Sequence, residues 1–168
     1  MSPVRVPLIR VVTFLFAFSC LASGSAAQGT SVAFGTMRQD TDAPVEVTSD
    51  QLSVDQDSGT AVFTGDVLIG QGEMRLSAPR VLVIYNEDNS GIDRLEATGG
   101  VTLVSGPDAA EAERADYDIG SGTIVMTGDV LLTQGESALT ADRMTVNLDS
   151  GTAQMNGRVK TILQPGKN

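Results

Sequence analysis

Apolar and polar residues alternate along most of this chain. The apolar positions run Leu52/Val54, Ala61/Phe63, Val67/Ile69, Leu76/Ala78, Val81/Val83, Leu95/Ala97, Val101/Leu103, Ile124/Met126, Val130/Leu132, Met144/Val146/Leu148 and Ala153/Met155. A period of two marks strands with one buried face. Beyond residue 27 no window sustains the i, i+3, i+4, i+7 spacing of an amphipathic helix. The inward side of the alternation is Leu52, Val54 and Phe63, then Val67, Ile69 and Leu76, then Val81, Val83 and Leu95, then Val101 and Leu103, then Ile124, Met126, Val130 and Leu132, and finally Met144, Val146 and Met155. The weakest stretch of the pattern is Ala109 to Ala115, after the loop signal Gly106-Pro107-Asp108, and an open part of the wall is expected there.

The alternation is organised as a repeat. Thr64-Gly65-Asp66-Val67-Leu68-Ile69-Gly70-Gln71-Gly72-Glu73 returns 63 residues later as Thr127-Gly128-Asp129-Val130-Leu131-Leu132-Thr133-Gln134-Gly135-Glu136, with eight of ten positions identical. A second marker, Ala-x-Arg, opens at Ala78, Ala112 and Ala141, with a weaker first copy at Ser49, so the starts are 29, 34 and 29 residues apart. Each copy carries a glycine (Gly65, Gly99, Gly128, Gly157) followed two positions on by valine, and three copies carry Ser-Gly-Thr (Ser58, Ser121 and Ser150 onward). The copy with the longer unit has Asn86-Glu87-Asp88-Asn89-Ser90-Gly91 instead, and all four read as hairpin turns. Four units of about four strands each give an all-β domain over residues 45–164, with about sixteen short antiparallel strands. Residues 28–44 are expected to be a flexible segment and 165–168 a tail.

The first 27 residues are of another kind. Arg5 and Arg10 precede an apolar run from Val11 to Ala22, and Ser25-Ala26-Ala27 follows, the layout of a secretory signal peptide cleaved after Ala27. Acylation at Cys20 is the alternative, but Ala17-Phe18-Ser19 lacks the leucine and small residues expected before an acylated cysteine. Cleavage removes the sole cysteine and two arginines, leaving nine basic against 21 acidic residues, a net charge of −12. No disulfide can then form. The scattered Lys and Arg also speak against a nucleic-acid partner.

Catalytic chemistry is sparse. The chain has no histidine, which together with the loss of Cys20 removes the commonest general base, the thiol nucleophile and most transition-metal ligands. A carboxylate-based glycosidase would have to rest on Asp66 and Asp129, which read more simply as turn residues. A calcium site on Asp108, Glu111 and Glu113 lacks a known loop spacing. Met126, Met144 and Met155 have the inward parity of core filler. Arg80, Arg114 and Arg143 recur at one point of the unit, as strand-end partners for a neighbouring unit's acids or as phosphate contacts on a rim. The expectation is a non-enzyme without cofactor.

The unit A-x-R-φ-x-φ, the Ser-Gly-Thr turn, Thr/Asn-Gly-x-Val and Gln-Gly-x-x-x-x-x-Ala, placed behind a signal peptide, resembles the OstA-like family of lipopolysaccharide transport proteins over about Val45 to Leu163. The resemblance implies an elongated, twisted β-jellyroll of two facing sheets, open along one side, that holds the acyl chains of lipid A. It further implies a periplasmic location, head-to-tail self-association, and partnership with an inner-membrane anchored LptC-like component and an outer-membrane LptD-like barrel. The eighteen inward residues named above are then the candidate lipid contacts. The competing expectation is a self-assembling β-repeat protein without lipid cargo, whose interior is fully packed.

Overall fold

The computed structural model describes residues 30–33, 43–88 and 90–162. Among them are eleven strands and no helix: β1 (Thr30–Ala33), β2 (Glu46–Thr48), β3 (Gln51–Asp55), β4 (Thr60–Gln71), β5 (Met74–Tyr85), β6 (Ile92–Ser105), β7 (Asp108–Asp118), β8 (Thr123–Gln134), β9 (Ser137–Asn147), β10 (Thr152–Asn156) and β11 (Lys160–Ile162). All pairings are antiparallel, in the order β1-β10-β9-β8-β7-β6-β5-β4-β2, with β11 on β9 and β3 on β4. The sheet does not close into a barrel. The expected signal peptide and tail lie outside the described residues. Within the segment expected to be flexible, Thr30–Ala33 instead forms a strand paired with β10.

Six strands, β4 to β9, are 11 to 14 residues long, and this is why eleven strands appear rather than sixteen. Gly157 directly follows the end of β10, but Gly65, Gly99 and Gly128 do not end a strand: each sits in mid-strand, where the pairing slips by one residue. Gly65-Asp66 faces Pro79, Gly99-Gly100 faces Glu113, and Gly128-Asp129 faces Asp142, the two-against-one count of a β-bulge, which bends the sheet and sharpens its twist. Gly65 and Gly128 take φ of 79° and 85°, and Asp66 and Asp129 follow at 41° and 44°. Short polar residues tolerate that left-handed region, which explains aspartate at this point in two copies; Gly100 and Arg158 hold it in the others. On the odd-numbered strands the same level is occupied by Ala-x-Arg, and there the inward parity changes: Leu76/Ala78 gives way to Val81/Val83, Ala110/Ala112 to Ala115/Tyr117, and Leu139/Ala141 to Met144/Val146.

The aligned bulges form a crease that divides the sheet into two leaves. Leaf 1 holds β1 and residues 51–64, 80–98, 114–127 and 143–156; leaf 2 holds β2, 67–78, 101–112, 130–141 and β11. A full repeat thus gives one hairpin to each leaf. The inward residues of both leaves form one hydrophobic cluster, with Val81, Ile124 and Met144 of leaf 1 and Leu103, Val130 and Leu132 of leaf 2 wholly shielded from solvent. Among the described residues no other layer exists to cover them, so the sheet folds at the crease onto itself.

The stretch from Ala109 to Ala115 is no gap in the wall. It belongs to β7, paired with β6 and β8 on both sides of the bulge level at Glu113, with Ala110, Ala112 and Ala115 in the core. Alanine contributes little to a hydrophobic pattern, yet all three keep the inward parity of their stretch and are buried.

Candidate functional site: an apolar interior and a polar seam

Fifteen of the eighteen candidate residues, from Val67 to Met155, lie in the core with at most 2% of their surface exposed. Phe63 is half-buried against that core. Leu52 and Val54 keep the expected inward parity but not the burial. They stand directly across from Phe63 and Ala61, on the inward face, but are 56% and 58% exposed. β3 is the terminal strand of leaf 1, and nothing among the described residues covers its inner face, so this end of the sandwich shows bare apolar wall. Beside it a shallow recess of about 370 Å³ is lined by Val54, Thr60 and Tyr85. The core also contains Met74, Tyr117 and Leu139, which the list of candidates omits. Met74 and Leu139 share the inward parity of Leu76 and Ala141, the signal that would have found them.

Opposite the crease, the tips of leaf 2 carry a row of inward-facing polar residues. Gln71, Ser105 and Asp108 are 2%, 2% and 7% exposed, and Gln134 is half-buried. From this row two hydrogen bonds cross to the tips of leaf 1. The Tyr117 hydroxyl donates to Gln71 Oε1 at 2.6 Å, and Gln134 Nε2 donates to the Ala33 carbonyl at 2.6 Å. Each bond skips two intervening strands of the sheet. Gln71 Nε2 also donates to the Ala43 carbonyl, and Gln134 Nε2 to Asp108 Oδ2. Burial pushes the Tyr117 phenol up to about 12, helped by Asp149 and Asp118 and opposed by the Gln71 bond, so it remains a neutral donor.

The candidate polar chemistry disperses. Asp108 faces inward while Glu111 and Glu113 face solvent, so the three do not form a site. Among the described residues no group of three or more His, Cys, Asp or Glu side chains could hold a metal. Asp66 and Asp129 are exposed at the crease. Arg114 pairs with Glu96 of the preceding unit at 2.8 Å and with Asp116, which is the strand-level pairing open to these arginines. Arg80 and Arg143 point outward and form no ion pair among the described residues.

Among the described residues the chain forms a creased, open-edged antiparallel jellyroll with an aliphatic interior. Comparison with known proteins makes the class specific. The profile of the family described as LptA/(LptD N-terminal domain) LPS transport protein matches residues 46–152, and the chain belongs to that family of lipopolysaccharide transport proteins, which is not enzymatic. An uncharacterized protein of Rhizobium meliloti is 32% identical over 115 residues, 64% of this chain and 62% of that one. The lipopolysaccharide export system protein LptA of Escherichia coli K12 is 33% identical over 60 residues, 36% of this chain and 32% of LptA. The chain thus spans less than two thirds of either relative. The fold superimposes on crystalline LptH, the LptA homologous periplasmic component of the lipopolysaccharide transport device of Pseudomonas aeruginosa, with a TM-score of 0.68 and 17% identity over 76% of this chain and 99% of that one.

Proposed function

We propose that this protein is a periplasmic carrier that shields the acyl chains of lipopolysaccharide between its two leaves and bridges the inner and outer membranes. The observation that carries the reading is the continuous aliphatic interior, bare at the β3 end where Leu52 and Val54 are uncovered. The mature aromatics are Phe34, Phe63, Tyr85 and Tyr117, so the wall is mainly aliphatic, suited to flexible chains rather than stacked sugars.

Transfer energetics define the mechanism. An acyl chain of about a dozen carbons prefers an apolar site to water by roughly 8 to 10 kcal/mol. Several chains together would exceed the practical ceiling of about 20 kcal/mol for noncovalent affinity, so full dry burial relative to water is not the operating balance. Passage between matched interiors is nearly neutral, and a relay of like units needs its driving force from elsewhere. The edges of β3 and β2 at one end, and of β1 and β11 at the other, which carry no further strand among the described residues, suit strand addition by another copy, by an LptC-like anchored component or by an LptD-like barrel. Export by a signal peptide cleaved after Ala27 places it in the right compartment.

Lipopolysaccharide co-purification tests the reading. Ile69→Asp, inward, should abolish captured lipid, and Leu68→Asp, at an outward position 41% exposed, should retain it. Equal retention by two variants that both keep their β circular-dichroism spectrum would favour the lipid-free, self-assembling alternative.

A further inference from the structure

β1 stands out of sequence order. It comes from the start of the chain, yet it pairs with β10 at the far end of the sheet: Thr30 opposite Met155, Ser31 opposite Gln154, Val32 opposite Ala153 and Ala33 opposite Thr152. Val32 packs against the core, and the Ala33 carbonyl accepts a hydrogen bond from Gln134 Nε2. In leaf 2 the adjoining edge, β11, carries no further strand among the described residues.

The repeat specifies which strand this edge would otherwise take. Wherever a glycine strand meets the Ala-x-Arg strand that follows it, the residue before the glycine stands opposite the arginine: Thr64 opposite Arg80, Thr98 opposite Arg114, Thr127 opposite Arg143. Asn156, before Gly157, has no such successor among the described residues. The Ser49-Asp50-Gln51 copy, at the opposite end of the sheet, is the strand of that type whose outer side carries no partner among them. With Gln51 of a second copy set opposite Asn156, Leu52 meets Met155, Ser53 meets Gln154 and Val54 meets Ala153. β3 then matches β10, five residues against five, and across the crease β2 matches β11, three against three. Arg158 would face Asp50, a base against an acid. β1 already imitates this arrangement: Thr30-Ser31-Val32-Ala33 sets Ser-Val against the same two residues that Ser53-Val54 would meet.

We propose that β1 is a cis-acting cap: it mimics β3 of a second copy and holds its place on β10, so head-to-tail association requires β1 to leave. The inference rests on the self-association in the reading above. Addition onto β1 does not serve instead, because β1 extends leaf 1 alone and a β2–β3 edge laid against it would stand one strand away from β11. Contacts favour the incoming strand, which supplies five residues for four and leucine for threonine beside Met155. Tethering favours the cap, since a segment of the same chain competes at an effective concentration on the order of 1 mM. Association is therefore weak until β1 is released.

The test locks the cap and releases it. Ser31→Cys and Gln154→Cys, at two exposed and directly opposed positions, are joined by a disulfide in a Cys20→Ser background of the full exported chain. Val32→Asp, which puts a charge where the cap packs against the core, releases it. Sedimentation velocity over a concentration series reads association, and circular dichroism checks that the β spectrum is kept. The oxidised double variant is expected to associate at least tenfold more weakly than its reduced form, and Val32→Asp at least tenfold more tightly than wild type. Equal association of oxidised and reduced forms, or of Val32→Asp and wild type, would overturn the cap and leave head-to-tail assembly standing by another route. A monomer at every concentration in all forms, Val32→Asp included, would instead overturn self-association, and the cap with it.

Discussion

Replacing Gly128 by alanine tests the crease on which the two-leaf geometry depends. An added Cβ would lie 2.8 Å from Glu113 Cβ on the neighbouring strand, against 3.5 to 4.0 Å for an ordinary carbon contact, and at φ +85°. Gly100→Ala is the internal control, because its φ is +98° but nothing lies within 4 Å of the new atom. The left-handed backbone costs alanine roughly 1–2 kcal/mol, and the stiffer unfolded chain returns about 0.4–1 kcal/mol. Gly100→Ala should therefore lose about 1 kcal/mol. Gly128→Ala adds an overpacking cost of about 1–3 kcal/mol, because Glu113 Cβ is fixed by its strand, for a total near ~3 kcal/mol. At roughly 2–4 °C per kcal/mol for a domain of this size, the expected drops in Tm are about 3 °C and about 9 °C. Urea unfolding followed by circular dichroism gives the free energies. Combining Gly128→Ala with Glu113→Gly should return much of the difference, since the two positions touch. Equal losses for Gly100→Ala and Gly128→Ala would refute the close crossing at the crease.

Three further outcomes follow from the same contacts. The Tyr117 phenol titrates in the folded protein at about 12, against 10.0 for the free group, so its contribution is fully present below pH 10 and is lost as pH rises toward 12; that loss is at most about 3 kcal/mol. Urea midpoints of the wild type should fall over that window and those of Tyr117→Phe should not, with a late-rising tyrosinate absorbance absent from the variant. Arg114→Ala should cost under about 1 kcal/mol, because the Arg114, Glu96 and Asp116 side chains remain 40%, 22% and 32% exposed, and the loss should shrink in high salt in thermal melts. Leu132→Ala should cost about 2–5 kcal/mol, whereas Leu52→Ala and Val54→Ala, already exposed, should leave urea midpoints within about 0.5 kcal/mol of wild type.

The period-two alternation located nearly every inward residue, because parity is a local property that burial enforces wherever a sheet has one dry face. Leu52 and Val54 share that parity but not the burial, since coverage depends on whether the facing leaf extends that far. The glycine repeat was visible but read as a strand end. A mid-strand bulge and a turn both call for positive φ, and only pairing on both sides of Gly65 and Gly128 tells them apart. Gln71 and Gln134 stood in the repeated decapeptide throughout. Their role stayed hidden because Tyr117 and Ala33 come from distant positions, and no local pattern reveals a bond that crosses between leaves. Ala110, Ala112 and Ala115 were lost to the opposite problem, small side chains that carry a weak hydrophobic signal although they are buried.

The central claim is that the buried face of this sheet is the lipid-carrying face. Photocrosslinking from Met126, wholly buried, and from its outward neighbour Val125 tests it most directly in cells making lipopolysaccharide. Lipid adducts at Met126 and none at Val125 are predicted; equal labelling from both positions, or labelling from Val125 alone, would contradict it.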